Sequence, residues 1–236
     1  MAIKHIWFDC DGTLYPSPKE LDDKVNMEII KELHLRTGQR FEQLNFDFGS
    51  AVKKTGSRTR AMGIFGIEKD EAIDIINRVR HADYVQSDPK LGVTLYDLRQ
   101  QNLYLSIFTN NKRPTLTEVM AKLELKDEWF YYQLTASEVK PKPDEEGYQR
   151  IVARCKTELN QNPDELLFVG DRETTDIDPA RQYGMNTLLV CSPESKMFVD
   201  DVRKTYHFKK RTIYEIKEVI AELNGPEPQP CKDRQG

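Results

Sequence analysis

The stretch Ile6-Trp7-Phe8-Asp9-Cys10-Asp11-Gly12-Thr13-Leu14 decides how the rest of the chain is read. An apolar run ends on two carboxylates spaced i and i+2, and a Gly-Thr step follows at once. Ionised carboxylates are costly to desolvate, so a buried strand normally avoids two of them at its end. The pair makes sense where the strand opens into a polar crevice and a divalent cation offsets the charge. Residues two apart on an extended chain share a side. Asp9 and Asp11 can therefore face one reacting centre, and Gly12 lets the backbone turn sharply beneath it. For these residues alone, a plain strand-end turn remains the alternative, because Asp-Gly is a common turn dipeptide.

With 236 residues, 38% of them hydrophobic, the chain can bury one large domain or a core with a smaller satellite. A net charge of −4 gives no electrostatic basis for nucleic-acid binding. No apolar run approaches the length of a membrane span. Lys4, His5, Asp9 and Asp11 interrupt the apolar stretch near the start, which argues against a signal peptide. Cys10, Cys155, Cys191 and Cys231 are scattered, with neither zinc spacing nor a disulfide framework. A cytoplasmic location is the expectation that follows. Cys10 reads as a small filler pointing away from the acids beside it.

Apolar β-type runs recur at Ile3–Phe8, Leu103–Phe108, Leu166–Val169 and Thr187–Val190, with a weaker one at Tyr131–Leu134. Helical patterns at Thr115–Leu125, Glu145–Glu158, Thr175–Tyr183 and Ile213–Leu223 alternate with them or follow. Strands alternating with helices predict an α/β fold with a parallel sheet covered on both faces. In such sheets ligands bind beyond the carboxyl ends of the strands. Asp9, Thr109 and Asp171 all fall at or just after such ends. Residues 15–89 break the alternation and read as helices, around Leu21–Arg36, Arg58–Phe65 and Lys69–Val85. Placed after the first strand, they predict a small helical cap over the sheet edge, with residues 1–14 and 90–224 forming the core. The tail, residues 225–236, is Pro-rich and polar and is expected to be disordered. The aromatic patch Trp129-Phe130-Tyr131-Tyr132 is expected in the core.

Three further pieces accompany the opening stretch. Phe108-Thr109-Asn110-Asn111 runs from a strand into a hydroxyl and two amides. Val139-Lys140-Pro141-Lys142-Pro143-Asp144 presents lysine on a proline-stiffened loop before a helix. Phe168-Val169-Gly170-Asp171 is followed by a second acid, Asp176. Taken singly, Thr109 can merely end a strand, Lys142 can be a surface lysine, and Asp176 can be a helix N-terminal acid.

Together and in this order, the four pieces resemble the haloacid dehalogenase-like superfamily, in its phosphatase branch with a helical cap. The resemblance covers the chain to about Leu223 and implies a doubly wound, Rossmann-like parallel-sheet core with Mg²⁺-dependent phosphoryl transfer. It implies Asp9 as the nucleophile that becomes an aspartyl-phosphate, and Asp11 as the general acid and base. Thr109 and the Asn110 amide would hold phosphate oxygens, and Lys142 would compensate charge on the nucleophile and phosphoryl group. Asp9, Asp11 through its backbone carbonyl, Asp171 and Asp176 would surround the metal. Lys140 competes with Lys142, but Lys142-Pro143-Asp144 matches the family's spacing.

The second acid, Asp11, points away from dehalogenation and toward phosphoryl chemistry. Asp9-Cys10-Asp11-Gly12-Thr13-Leu14-Tyr15-Pro16 is similar to the opening of the pyrimidine 5′-nucleotidase-like subfamily. The stretch Thr55-Gly56-Ser57-Arg58-Thr59-Arg60-Ala61-Met62 is similar to a cap segment of that group. Thr55 and Gly12 depart from the residues usual there. The expected substrate is a small phosphorylated metabolite, with a nucleoside 5′-monophosphate as its specific form. Arg58 and Arg60 either meet that substrate from the cap or are solvated helix-surface arginines. A sugar phosphomutase and a non-catalytic phospho-ligand-binding protein on the same core are the alternatives.

Overall fold

The computed structural model describes residues 2–191, 208–210 and 212–225. Among them, β1 (His5–Phe8), β2 (Tyr104–Phe108), β3 (Tyr132–Leu134), β4 (Leu166–Gly170), β5 (Asn186–Val190) and β6 (Phe208–Lys210) form one sheet, ordered β3-β2-β1-β4-β5-β6. Every pairing is parallel. The strand order reverses direction at β1, so a crevice opens beyond the carboxyl ends of β1 and β4.

Strand alternation sorts the side chains to two faces. Ile6, Phe8, Leu105, Ile107, Leu167 and Val169 join the cluster packed by α5 (Pro89–Gln100), α6 (Arg113–Lys122) and α9 (Ile216–Asn224). Trp7, Phe108 and Phe168 join the opposite cluster, with α7 (Glu145–Leu159) and the short α8 (Asp178–Gln182). The result is a parallel sheet covered on both faces, as the alternation predicts, and doubly wound and Rossmann-like, as the resemblance implies.

Between β1 and α5 come α1 (Lys19–Thr37), α2 (Phe41–Thr55), α3 (Arg58–Ile64) and α4 (Lys69–Ile76). Leu21, Val25, Ile29 and Leu33 make an i, i+4 stripe on α1, which packs on Leu44 and Phe48 of α2. These helices thus bury an apolar cluster of their own. A 3₁₀ turn, His81–Tyr84, leads back to the sheet. Tyr84 packs on the helical cluster, and Val85 already belongs to the core cluster.

The structure corrects several sequence expectations. The helix starting at Lys69 stops at Ile76 instead of running to Val85, and α2, α5 and β6 were not anticipated. Their cues are weak: Gly49 and Asn45 interrupt α2, and β6 is three residues long. Of the aromatic patch, Phe130 is buried, Trp129 and Tyr132 are half-buried against the core as expected, and Tyr131 alone is exposed. The tail at 226–236 and Cys231 lie outside the described residues. Among the described residues no helix is long and apolar enough to cross a membrane.

Candidate active site

Asp9 is the first residue beyond β1, and its N–H still donates to the Val169 carbonyl of β4 at 2.8 Å. Its carboxylate is therefore fixed by the sheet itself. Gly12, two residues past Cys10, has a φ of +83°, which an L side chain rarely adopts. A Cβ there would lie 2.3 Å from Asp171 Oδ2, so the loops after β1 and β4 meet with no room between them. Gly170 plays the same part on the other side, where a Cβ would lie 2.4 Å from Asp176 Cβ. The chain then forms a π-helical turn, Glu173–Ile177, a local widening often found at functional sites. That turn carries Asp176 inward, backed by Tyr148, whose hydroxyl donates to the Thr175 carbonyl at 2.6 Å.

Lys142 reaches the same point from the loop before α7. Its ammonium donates to Asp9 Oδ1 and to Asp176 Oδ1, both at 2.6 Å. Asn110 holds that loop: its Oδ1 accepts from the Lys142 N–H at 2.6 Å, and its Nδ2 donates to the Lys142 carbonyl at 3.1 Å. Asp144 then caps α7 by accepting from the Glu146 N–H. Lys140 is exposed, so of the two candidate lysines the fold brings Lys142 to Asp9. Thr109 is buried, and its Oγ1 accepts from the Asn111 N–H at 3.1 Å. Asp9, Thr109, Asn110, Lys142, Arg172 and Asp176 are among the residues around a cavity of ≈ 60 Å³.

Carboxylate oxygens of Asp9, Asp171 and Asp176 lie within 4.8 Å of one another. Asp171 Oδ1 is buried with no hydrogen-bond partner, and Arg172 Nε stands 3.9 Å away. Burial pushes the Asp171 carboxyl well up; Arg172 works against this, and Asp9 and Asp176 add to it. Burial likewise pushes Asp9 up to about 7, with Lys142 opposing and Asp176 and Asp11 reinforcing. Burial disfavours the Lys142 ammonium, but Asp176 and Asp9 outweigh it and hold Lys142 charged. An all-oxygen set with an orphaned buried carboxylate oxygen fits a hard divalent cation.

Asp11 is turned elsewhere. Its Oδ1 accepts from the Tyr15 hydroxyl and from His81 Nδ1 at 3.1 Å, and its Oδ2 accepts from Asn111 Nδ2 at 2.6 Å. Burial works against its charge, but the His81 and Tyr15 hydrogen bonds with Arg172 nearby hold the carboxyl below its ordinary range. Its carboxylate stands outside the three-acid group, and the metal contact implied for it runs through its backbone carbonyl. Above it is a cleft of ≈ 90 Å³, whose lining includes Asp22, Arg58, Ile73, His81 and Arg172. Arg58 is buried there, 2.8 Å from Asp22 Oδ1 and donating to Asn26 Oδ1 at 2.8 Å. Arg60 is exposed and lines a separate groove of ≈ 500 Å³ with Lys69, which opens onto Lys142.

Tyr15, His81, Asn111 and Arg172 are the site residues that sequence reasoning missed. Tyr15 and Asn111 lie inside the quoted stretches and Arg172 directly follows one, so these three were within reach. His81 had no local signal, because its partner is 70 residues away.

The haloacid dehalogenase-like hydrolase family model matches residues 3–184. The chain belongs to that family. It is similar to glyceraldehyde 3-phosphate phosphatase of Methanopyrus kandleri, 27% identical over 204 residues, covering 80% of this chain and 84% of that protein. It is also similar to phosphoglycolate phosphatase of Photorhabdus laumondii, 27% identical over 174 residues, covering 72% and 73%. A haloacid dehalogenase-family phosphatase from Thermococcus onnurineus shares the fold, with a TM-score of 0.63 at 19% identity over 94% of this chain and all of that one. L-2-haloacid dehalogenase of Xanthobacter autotrophicus shares it as well, with a TM-score of 0.56 at 17% identity over 92% and 98%. Membership makes the chain a hydrolase, and the fold it shares with these structures is common to more than one chemistry.

Proposed function

We propose that this hydrolase cleaves phosphomonoesters of small metabolites in a Mg²⁺-dependent reaction that passes through a phosphorylated Asp9. The observation that carries this is the Asp9 carboxylate, held by Lys142 at 2.6 Å inside a group of three acids. The curated relatives are phosphatases, which is the enzyme class this reading assigns. Asp9, Asp171 and Asp176 would hold the metal with the Asp11 carbonyl. Bound there, the ion would offset the carboxylates and polarise the phosphoryl group.

The chain's own residues then divide the work. Lys142 favours the ionised form of Asp9 and faces the charge that builds on the phosphoryl oxygens. The Thr109 hydroxyl and the Asn110 N–H, neither committed as a donor within the described residues, would take two of those oxygens. Asp9 attacks phosphorus, and the leaving oxygen takes a proton from Asp11. An arriving phosphate dianion raises the Asp11 pKa and so supplies the protonated form. After the alcohol leaves, the ionised Asp11 draws a proton from the water that cleaves the aspartyl-phosphate. Helices α1–α4 would act as the cap, excluding other water from the cleft.

The ≈ 90 Å³ cleft above Asp11 favours a leaving group of few atoms, since drug-sized ligands fill roughly 300 Å³ or more. The two relatives are named for phosphoesters of that size. A nucleoside 5′-monophosphate is the second reading. The ≈ 500 Å³ groove along Arg60, Lys69 and Lys142 is what favours it. Phosphate release from a panel of short-chain phosphoesters, sugar phosphates and nucleoside monophosphates, with Mg²⁺ and with EDTA, tests both. Metal-dependent release from the short esters supports the first reading, and selective release from UMP or CMP the second. Isomerisation of a sugar phosphate without release would mark a mutase. Tight binding without turnover would mark a phospho-ligand-binding protein.

A further inference from the structure

Asp11 is the acid of the centre that stands outside the three-acid group, and it is gripped from both places where the chain crosses between sheet and helices. The outgoing crossing supplies Tyr15, and the returning one supplies His81, on the same oxygen. The β2 loop supplies Asn111 on the other oxygen. Tyr15, His81 and Asn111 are 5%, 5% and 3% exposed, so water does not compete for these hydrogen bonds. An ionised carboxylate offers about four acceptor positions, and three are taken. One lone-pair direction is left, and the Asp11 side chain is about a quarter exposed, toward the two cavities it lines.

His81 stands apart from the other two donors by where it is mounted. Tyr15 belongs to the core cluster, and Asn111 follows a core strand. His81 opens the 3₁₀ turn that rests on α6 of the core and on α1 of the helical unit. The turn's other end, Tyr84, is packed into the helical cluster. His81 is thus the one Asp11 donor whose mount touches both units, so it is the donor that a shift of the helices against the sheet can reach.

We propose that His81 is a positioning residue for proton transfer, aiming Asp11 at the leaving oxygen only when the helical unit is seated on the core. This rests on the phosphomonoesterase reading above. Its consequence is that loss of His81 penalises the step that protonates the leaving group, not phosphoryl transfer as such. Aligning a proton donor contributes about 10²-fold or more where the leaving group needs the proton.

The test compares kcat/KM, which reports departure of the leaving oxygen, for two esters. Glycerol phosphate leaves as an alcohol that must be protonated; 2,4-dinitrophenyl phosphate leaves as a stable phenolate. In His81→Ala we expect a loss of about 10²-fold with the first and under about threefold with the second. His81→Asn, whose amide nitrogen takes the place of Nδ1, should recover most of the loss. Should the alanine variant fail to fold, His81→Gln fills the space without presenting that donor and replaces it. An equal loss on both esters, or no loss on the alkyl ester, would overturn the proposal. A wild-type enzyme inert on both would instead sink the phosphomonoesterase reading, and the role of His81 with it.

Discussion

At the amino end of β1, His5 is fully buried; one residue beyond its carboxyl end, Asp9 is buried almost as deeply. His5 Nδ1 is 3.1 Å from Gln161 Oε1, and Nε2 is 2.8 Å from Ser106 Oγ. Burial pushes the imidazole down to about 4, against the pull of the Gln161 hydrogen bond, so the ring is neutral at pH 7 and both nitrogens are satisfied. At the other end four carboxylates gather around the Lys142 and Arg172 cations, and one Asp171 oxygen has no partner. The first end follows the rule that buried polar groups find partners; the second breaks it and leaves charge uncompensated. Satisfied neutral groups are structure. Unsatisfied charge inside a cleft marks the working end.

The largest effect expected is at that working end. Asp9→Asn keeps the shape and removes the attacking oxygen, so phosphate release should fall by about 10⁴-fold or more. Its melting temperature should not fall, because a costly buried charge is gone. Retained turnover at saturating metal and ester would break the assignment of Asp9. Lys142→Met is the reverse case, since it leaves Asp9 and Asp176 without their ammonium. Removing one partner of a buried pair costs about 3–5 kcal/mol, and a urea melt in EDTA should show it. A loss below about 1 kcal/mol would mean that the acids are solvated and that the contrast between the two ends is weaker than drawn.

Acid titration separates the ends by sign. His5 has a folded pKa of about 4 against an ordinary 6.5. Its neutral form is favoured in the fold, so its contribution is present above about pH 6.5 and is lost as pH falls toward 4. That loss is on the order of 3 kcal/mol. Asp9, raised to about 7, works the other way and gains stability over the same fall. Urea midpoints of wild type and His5→Asn from pH 7 to 4 isolate the imidazole. Parallel curves would show that His5 is not held neutral. The smallest effect is expected for Ser106→Ala, which leaves Nε2 without its partner at a cost of about 1–2 kcal/mol and should leave phosphate release unchanged.

The same contrast explains what the sequence disclosed. Asp9, Thr109, Lys142 and Asp171 were legible because each follows an apolar strand or precedes a helix, and strand alternation places them on one edge. Choosing Lys142 over Lys140 needed the resemblance, and the fold then exposed Lys140. The His5 network was invisible, since it joins residues 101 and 156 positions apart through neutral groups that no motif requires. His81 was hidden for the same reason, and α2 because its interior glycine and asparagine weaken a helical reading. Of the two readings for Arg58, substrate-facing or solvated, the solvated one fails: Arg58 is buried, held by Asp22 and Asn26, and lines the cleft above Asp11.

The Asp9 N–H bond to Val169 carries one more consequence. Asp9 and Asp171 hang from neighbouring strands, and parallel strands stand about 4.8 Å apart whatever side chains they bear. The sheet thus acts as a fixed gauge for the jaws of the acid group, whose oxygens lie within 4.8 Å of one another. Among these acids, Asp11 is the one also tied toward the helices, through His81. Exchanging side chains on α1–α4 would therefore retune which alcohol departs while the aperture between the anchoring acids stays as the backbone set it.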